Sequence, residues 1–188
     1  MAKTKPDTKN TSVGKPKVGG ALFCAPVGTA LPTDTAAPLN EAFVCLGYCG
    51  DKGLVNANEK KAEEFKAWGG ATVCTSVTSH TDTFAFKMLE VLNPDVLKVV
   101  HGDKNVTGTL TTGITVMVNA MPQGEKAWVI EMLMRDNAVK RIVIPQAAVV
   151  EVGEVTYADN DLAAYDCKIQ ATEDADGQTH YEYIKKGA

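Results

Sequence analysis

The amino-acid sequence predicts a mainly β protein, a sandwich or barrel with one short flanking α-helix. Short runs rich in valine, isoleucine and threonine recur along the chain, and clusters of turn-forming residues separate them. The clearest helix signal is followed by only about two turns of helix before a glycine stops it. Many short strands at close spacing are typical of sandwiches and barrels.

Length and charge predict a single domain behind a basic arm. A chain of 188 residues, 45% of them hydrophobic, can bury one core. Residues 1–20 contain five lysines, one aspartate and almost no large apolar side chains, so we expect a flexible arm with solvent-exposed lysines. Residues 21–188 form the predicted domain. The net charge of −4 divides into +4 for the arm and −8 for the domain. An acidic domain repels phosphate groups, which argues against a protein that binds nucleic acid tightly.

The cysteines and the short apolar runs predict a protein that folds in a cytoplasm. Five cysteines without a C-x-x-C pair predict free thiols rather than disulfides or a zinc ribbon. Cys45 and Cys49 would lie about 13 Å apart on one strand, which favours packing over joint chemistry. No run of about 18 apolar residues could span a bilayer, and the first 20 residues lack the apolar segment of a secretory signal.

The first quarter of the chain predicts a hinge, a long loop and a strand. Gly19 and Gly20 are suited to a hinge into the apolar segment at residues 21–25. A proline-rich loop follows at about residues 26–41, and loops of this length are usually functional or mobile. Residues 42–49 form the next predicted strand, which the turn residues 50–53 (GDKG) should end.

The second quarter contains one ambiguous segment and one clear helix. Residues 59–68 have helical propensity, while residues 72–77 and 83–88 have the composition of strands. The helix should begin at Asn93-Pro94-Asp95, since asparagine caps free amides, proline suits the first helical position and aspartate complements the helix dipole. Gly102 should end it.

The second half of the chain predicts strands almost throughout. The best hairpin joins residues 127–135 to 138–144 through the two-residue connection Asp136-Asn137. Further strands are expected at residues 110–119, 147–152, 162–171 and 179–184. Both faces of the strand at residues 127–135 are substantially apolar. A strand with this pattern is covered on both sides, so the helix, another sheet or a neighbouring subunit should cover the second face.

No motif for nucleotide, acyl-transfer or metal chemistry is present in the sequence. Glycine-rich phosphate loops, the nucleophile elbow, the HExxH pair and the EF-hand loop are all missing. His80, His101 and His180 are far apart, and none has a second ligand at helical or strand spacing. We assign no catalytic, cofactor-binding or metal-ligating residue and expect no cofactor and no enzymatic activity.

The aromatic residues have structural interpretations. Trp68 follows a polar segment and precedes Gly69-Gly70, and Trp128 lies in an apolar strand. Either could stack on a sugar or a base, but core packing is the more common role at such positions. Tyr181 and Tyr183 share one face of the last strand, which leaves core packing and a contact between subunits as alternatives.

Residues 20–184 resemble the major tail proteins of bacteriophages with long, non-contractile tails. The resemblance rests on three segments in order: AFVCLGYCGDKGLVNANEKKAEEFKAWGG, LNPDVLKVVHG and WVIEMLMRDNAVKRIVIPQAAVVEVGEVTY. It implies a tail-tube-like β-sandwich with one flanking helix and a largely extended conformation for residues 54–68. It also implies rings, usually hexameric, that stack into a tube. The family has no catalytic residues to carry over.

The resemblance implies a virion protein made in the host cytoplasm. Its partners would be further copies of itself, the tape-measure, tail-tip and tail-terminator proteins, and double-stranded DNA in transit, without a membrane. We expect the acidic excess to line part of the lumen, so that DNA slides without adhering. We also expect the arm to become ordered when rings stack. A ligand- or carbohydrate-binding sandwich with an exposed aromatic platform, and a β-barrel enzyme with a dispersed site, are the alternatives.

Overall fold

The computed structural model describes residues 5–186, so the first four residues of the predicted arm and the last two of the predicted domain lie outside it. The described chain is mainly β, as predicted, with a single α-helix. The elements are β1 Lys15–Pro16, β2 Leu22–Pro26, β3 Val44–Cys45, β4 Cys49–Lys66, β5 Thr72–Met88, α1 Pro94–His101, β6 Val106–Thr109, β7 Gly113–Val116, β8 Lys126–Leu133, β9 Ala138–Val152, β10 Tyr165–Ala171 and β11 Tyr181–Lys186. Short 3₁₀ turns lie at Thr8–Asn10, Asp103–Asn105 and Arg135–Asn137.

Nine strands form one antiparallel sheet that curves around the helix. Their order is β3, β2, β8, β9, β10, β5 and β4, with β1 beside β8 and β11 beside β9. The strands β6 and β7 form a separate pair. Apolar side chains from β2, β5, β8, β9 and β10 share one buried cluster with those of α1. Strands from both ends of the sheet therefore meet over the same core.

The predicted hairpin is confirmed as β8 and β9. Its connection places Asp136 at φ 55° and Asn137 at φ 58°. Two successive residues with positive φ are characteristic of the turn that matches the twist of a hairpin, and aspartate and asparagine tolerate this conformation better than most residues. Pairing then runs from Leu133 opposite Val139 back to Trp128 opposite Ile144.

Strand β9 changes partners at Pro145. One edge pairs with β8, while the other pairs with β11 over residues 138–143 and with β10 over residues 147–152. Proline has no N–H to donate and lies in the gap between the two partners, where a bond is not needed. Opposite it, the β8 register shifts between Lys126 and Trp128. Such bulges bend a strand, which helps the sheet to curve.

Trp128 lies at the centre of the main core, so the predicted core role is confirmed. Its side chain is fully buried and its Nε1 donates a hydrogen bond of 3.2 Å to the carbonyl of Ala147. The ring of Phe86 packs against it with 5.8 Å between ring centroids. A buried indole N–H needs a partner, and this carbonyl supplies it.

The second face of β8 is buried, as predicted, but within the described part of this chain neither the helix nor another sheet covers it. The loop between β2 and β3 does so instead, because Leu31, Leu39 and Phe43 pack in the cluster that contains Val129. Tyr181 and Tyr183 of β11 are half-buried at the margin of the same cluster. The long loop thus acts as the second layer of the sandwich on this side.

The predicted helix is confirmed with its caps. Asn93 accepts a hydrogen bond of 3.0 Å from the backbone N–H of Asp95, and Pro94 occupies the first helical position. Gly102 has φ 98° and its N–H bonds to the carbonyl of Lys98, which ends the helix. Four buried side chains, Val96, Leu97, Val99 and Val100, face the main core.

Two predictions for the first half are wrong. The helical propensity of residues 59–66 is overridden, because β4 pairs with β5 along this stretch and the cross-strand bonds satisfy its backbone. The extended conformation implied by the family resemblance is the correct one. Residues 50–53 do not end a strand. They form a four-residue bulge inside β4, opposite Lys87 of β5.

Several strand boundaries also differ from those predicted. Of residues 42–49, only Val44–Cys45 and the start of β4 are in strands, because the chain turns at Gly47, whose φ is 76°. The runs at 72–77 and 83–88 merge into β5. The strand expected at 110–119 is replaced by β6 and β7, with Leu110 in the turn between them. Gly108 and Gly113 both adopt positive φ there, which permits the tight reversal.

Candidate assembly surfaces

The strands β4 and β5 form a hairpin that projects from the sheet. β10 pairs with β5 only from Asp82 to Met88, so beyond Asp82 the hairpin has no third strand. Every residue from 58 to 80 is exposed. The nine residues from Asn58 to Lys66 span about 30 Å at the rise of a β-strand. We call residues 58–81 the projecting hairpin.

The tip of the projecting hairpin carries an exposed tryptophan. The N–H of Ala67 bonds to the carbonyl of Ala71 at 2.8 Å, and Gly69 and Gly70 adopt φ 102° and 92° to close the turn. Trp68 lies in this turn and is fully exposed. The prediction that Trp68 packs in the core is wrong, because the Gly-Gly break marks the far end of a hairpin that leaves the core behind.

The two edges of the projecting hairpin differ in chemistry. The β4 edge carries three glutamates and three lysines between Glu59 and Lys66, whereas residues 72–79 of β5 (TVCTSVTS) carry no charge and no proline. Charged side chains on an edge strand discourage pairing with another chain. The β5 edge lacks this protection, and its valine and threonine content favours extended pairing.

A buried carboxylate holds the root of the hairpin. Asp82 is 1% exposed and accepts hydrogen bonds from Asn56 Nδ2 at 2.8 Å, from Thr179 Oγ1 at 2.7 Å and from His180 Nδ1 at 2.5 Å. Burial raises the pKa of Asp82, but the hydrogen bonds outweigh it, so the net pKa is lowered. The network joins β4, β5 and the segment before β11 where the hairpin leaves the sheet.

A second charged network ties the long loop to the sheet. Glu131 and Arg141 lie opposite each other in the β8–β9 register, are both 3% exposed, and form an ion pair. Arg141 also donates to the carbonyls of Asp34 at 2.6 Å and Ala37 at 2.8 Å. The guanidinium thereby fixes the loop over the second face of β8.

The N-terminal segment reaches the same glutamate. Lys17 Nζ lies 2.7 Å from Glu131 Oε2, and β1 pairs Lys15 and Pro16 with Leu133 and Met132 of β8. Further along, Arg135 donates from its backbone N–H to Ser12 Oγ at 2.6 Å and from its side chain to the carbonyl of Thr8 at 2.9 Å. Residues 8–17 therefore follow the end of β8; we call them the arm segment.

The three histidines lie in three different environments. His80 contacts Asn58 on the projecting hairpin, His180 contacts Asp82, and His101 ends α1 with its ring 5.7 Å from that of Tyr165. Burial lowers the pKa of His101. Among residues 5–186, no group of three histidine, cysteine or acidic side chains is arranged to hold a metal ion.

Three of the cysteines have a raised pKa. Burial raises the pKa of Cys24 and of Cys167 to about 12, and it also raises the pKa of Cys49. Catalytic thiols need the opposite shift. Cys45 and Cys49 lie on different strands, β3 and β4, so the extended spacing predicted for them is wrong.

Sequence reasoning missed Asp82, Glu131 and Arg141. A signal was present, because each is a charged residue within a run of strand-forming side chains, and such interruptions mark buried ion pairs or hydrogen-bonded carboxylates. Their partners come from segments distant in sequence, which no local pattern reveals.

Comparison with known proteins identifies one similarity. A family model described as phage tail tube protein matches residues 9–188, nearly the whole chain. No curated protein matches the sequence. Within residues 5–186, no helix has the length and apolar character needed to cross a membrane.

Proposed function

This chain belongs to the phage tail tube protein family and is a structural protein of the virion, and we propose that its copies close into hexameric rings that stack into the conduit for DNA. The observation that supports ring formation is the projecting hairpin. A two-stranded hairpin in water is at best marginally stable by itself, and among the described residues no third strand pairs with this one beyond Asp82, where residues 58–80 are all exposed. A second copy is the partner that an assembling tube supplies.

The uncharged β5 edge is the proposed contact between neighbours. Pairing of residues 72–81 with an edge strand of the next copy would satisfy their free backbone groups and join separate sheets into one continuous wall. A contact between two different surfaces closes into a ring when its rotation closes, and a second contact along the axis extends the ring into a tube. The long hairpin provides the reach for the first of these contacts.

Further proposals concern the lumen and the partners. The excess charge of −8 outside residues 1–20 supports a wall that is acidic or neutral where it meets DNA. A strongly basic inner wall in an assembled tube would contradict this.

We propose contacts with the tape-measure, tail-tip and terminator proteins at the ends of the tube, and we assign the protein no catalytic activity. Residues 21–188 act as one domain in this scheme.

The decisive experiment compares the native chain with a variant that has a shortened hairpin. In the variant, residues 59–81 are replaced by Asn-Gly, a two-residue turn that can join Asn58 to its partner Asp82. Both proteins are examined by negative-stain electron microscopy and light scattering over a concentration series.

We expect hollow rings or rods for the native chain. The variant should remain monomeric and should keep the thermal unfolding transition of the body, since all the residues removed are exposed except the half-buried Thr81. A native chain that stays monomeric at every concentration would contradict the proposal and favour the ligand-binding sandwich. Tubes formed by the shortened variant would leave the tube in place but exclude the hairpin as its ring contact.

A further inference from the structure

We propose that the arm segment, residues 8–17, exchanges between copies in the assembled tube, so that the arm segment of one copy occupies the end of β8 on another. This inference rests on the proposed function. The surface is the strip from Glu131 to Arg135 of one copy. Its partner is the arm segment, residues 8–17, of a second copy.

The structure shows directly which segment fits this surface. The backbone of Lys15 and Pro16 pairs with β8, and Lys17 reaches Glu131 at 2.7 Å. Because all copies have the same sequence, the arm segment of another copy can make the same contacts. Exchange of an identical element is a low-cost route to association for this reason.

Releasing the arm segment breaks the β1 pairing and the bonds from Arg135 to Ser12 and Thr8 but removes little packing. All side chains from residue 5 to residue 16 are exposed, and β1 is only two residues long. The Lys17 side chain is 39% exposed and can return to water. Glu131 keeps its ion pair with Arg141 when Lys17 leaves, so no buried charge is left without a partner.

Two glycines suited to a hinge lie next to the arm segment. Gly19 has φ 94° and Gly20 has φ 130°, conformations that other residues rarely adopt. A Cβ on Gly20 would also lie 2.6 Å from Cys45 Sγ, so the position excludes larger residues. The hinge lets the chain leave β8 without disturbing β2, which begins at Leu22.

The vacated surface requires an occupant. The arm segment covers two methionines, since a Cβ on Gly14 would lie 3.2 Å from Met132 Sδ and 3.8 Å from Met134 Sδ. Departure of the arm would expose these apolar side chains together with the unpaired edge at Met132 and Leu133. Exchange repairs both losses, whereas simple release does not. Each exchanged arm also adds a second link between copies that are already in contact, which strengthens the assembly by avidity.

Two variants, each with one added cysteine, test the exchange when they are mixed. Lys15→Cys and Leu133→Cys are made on separate chains that differ in mass, and the linked peptides are mapped by mass spectrometry to positions 15 and 133, because the exposed native thiol of Cys74 can also oxidise. Lys15 and Leu133 are opposite each other in the β1–β8 register, within reach of a disulfide. The two chains are mixed, assembled, oxidised and separated without reductant. A chain carrying both cysteines serves as the matched control.

Exchange predicts a disulfide-linked heterodimer from the mixed tubes and linked multimers from tubes of the double variant. The same mixture oxidised before assembly should give none. A mixture without heterodimer, alongside a double variant in tubes that forms its disulfide within one chain, would overturn the exchange while leaving the tube intact. Failure of the native chain to form rings or tubes would count against the proposed function itself, and the exchange would fall with it.

A matched pair of lysine variants gives an independent readout. Lys17→Ala should lower the temperature at which tubes dissociate and leave unfolding of the free subunit almost unchanged, because the arm segment buries little in either state. Lys9→Ala, an exposed lysine of the same segment without an ion pair in the structure, should leave both unchanged. Equal behaviour of the two variants would oppose the role of Lys17 as the anchor.

Discussion

Asp82 and His180 lie 98 positions apart in the chain, yet a hydrogen bond of 2.5 Å joins Asp82 Oδ2 to His180 Nδ1 where the projecting hairpin leaves the sheet. The His180 ring also meets Phe84 edge-on, with 5.2 Å between centroids. The strand that carries the hairpin is therefore fixed to the segment that leads into β11. The orientation of the hairpin depends on contacts from the far end of the chain.

Replacing Asp82 by asparagine should destabilise the subunit. The amide would keep one acceptor but present donors to Thr179 or His180, and an unsatisfied buried group costs about 1–3 kcal/mol. The folded protein lowers the pKa of Asp82, so the stabilisation that it provides is present above the unfolded pKa of about 3.9 and is lost as the pH falls through the folded pKa. Urea denaturation at pH 7 and below pH 4 should show the difference from the native chain shrinking in acid.

Asp159→Asn is the control for this measurement. Asp159 is an exposed carboxylate in the loop before β10, so its replacement should change stability by less than about 0.5 kcal/mol at either pH. A constant difference between Asp82→Asn and the native chain at both pH values would rule out the ionised carboxylate as the source of the effect.

Lysines on the β5 edge should block assembly without unfolding the subunit. Val73 and Val77 are 66% and 60% exposed, so Val73→Lys with Val77→Lys removes little buried surface. Charge on an edge strand opposes pairing between chains. The matched control is threonine at both positions, which keeps strand propensity without charge. We expect monomers from the lysine variant and tubes from the threonine variant in light scattering; tubes from both would place the ring contact elsewhere.

Alanine substitutions at the two tryptophans should have different effects, one on the stability of the subunit and the other on its assembly. Trp128→Ala empties the centre of the core and should cost about 3–5 kcal/mol in the free energy of unfolding. Trp68→Ala should change it by less than about 0.5 kcal/mol, since Trp68 has no packing to lose. Because exposed tryptophans often anchor interfaces, Trp68→Ala should still weaken assembly. A Trp68 variant that unfolds as readily as Trp128→Ala would contradict its placement at the tip.

Arg141→Met should loosen the loop over the second face of β8. Lys17 still pairs with Glu131 in this variant, so the loss of stability should fall below the roughly 3–5 kcal/mol that an unpaired buried charge costs. The carbonyls of Asp34 and Ala37 also lose their donor, so limited proteolysis should cut between residues 27 and 43. Lys168→Met, which removes an exposed lysine from its ion pair with Glu151, is the control and should leave the cleavage pattern unchanged.

Thiol labelling should follow burial. Cys74 on the exposed β5 edge should react with iodoacetamide first at pH 8, whereas Cys24 and Cys167, whose pKa is raised to about 12, should react only on unfolding. Mass spectrometry of digests taken over time gives the order. Early labelling of Cys24 in the folded protein would show that its surroundings open more readily than the structure implies.

Local signals predicted the elements that local interactions determine. Asn93 and Pro94 specify the helix start, and Asp136-Asn137 specifies the turn between β8 and β9, because each acts within a few residues of itself. For residues 59–66 the helical propensity gave the wrong prediction, because the strand that pairs with them begins only after the turn at Trp68. The sequence also did not predict which element covers the second face of β8, again because the contacts are distant in sequence. The loop between β2 and β3 is held by Arg141, more than 100 positions away.

The uncharged β5 edge also has a kinetic consequence. An open strand edge is a template for pairing as soon as the subunit folds, and the encounter of two free subunits is second order in their concentration. A weak first pairing followed by firmer addition at an existing end produces nucleated growth, with a lag that preformed seeds remove. At low concentration the protein would then remain as free subunits, whereas at high concentration the free subunits would assemble into tubes. The timing of tail growth would thus be set by the appearance of the first seed.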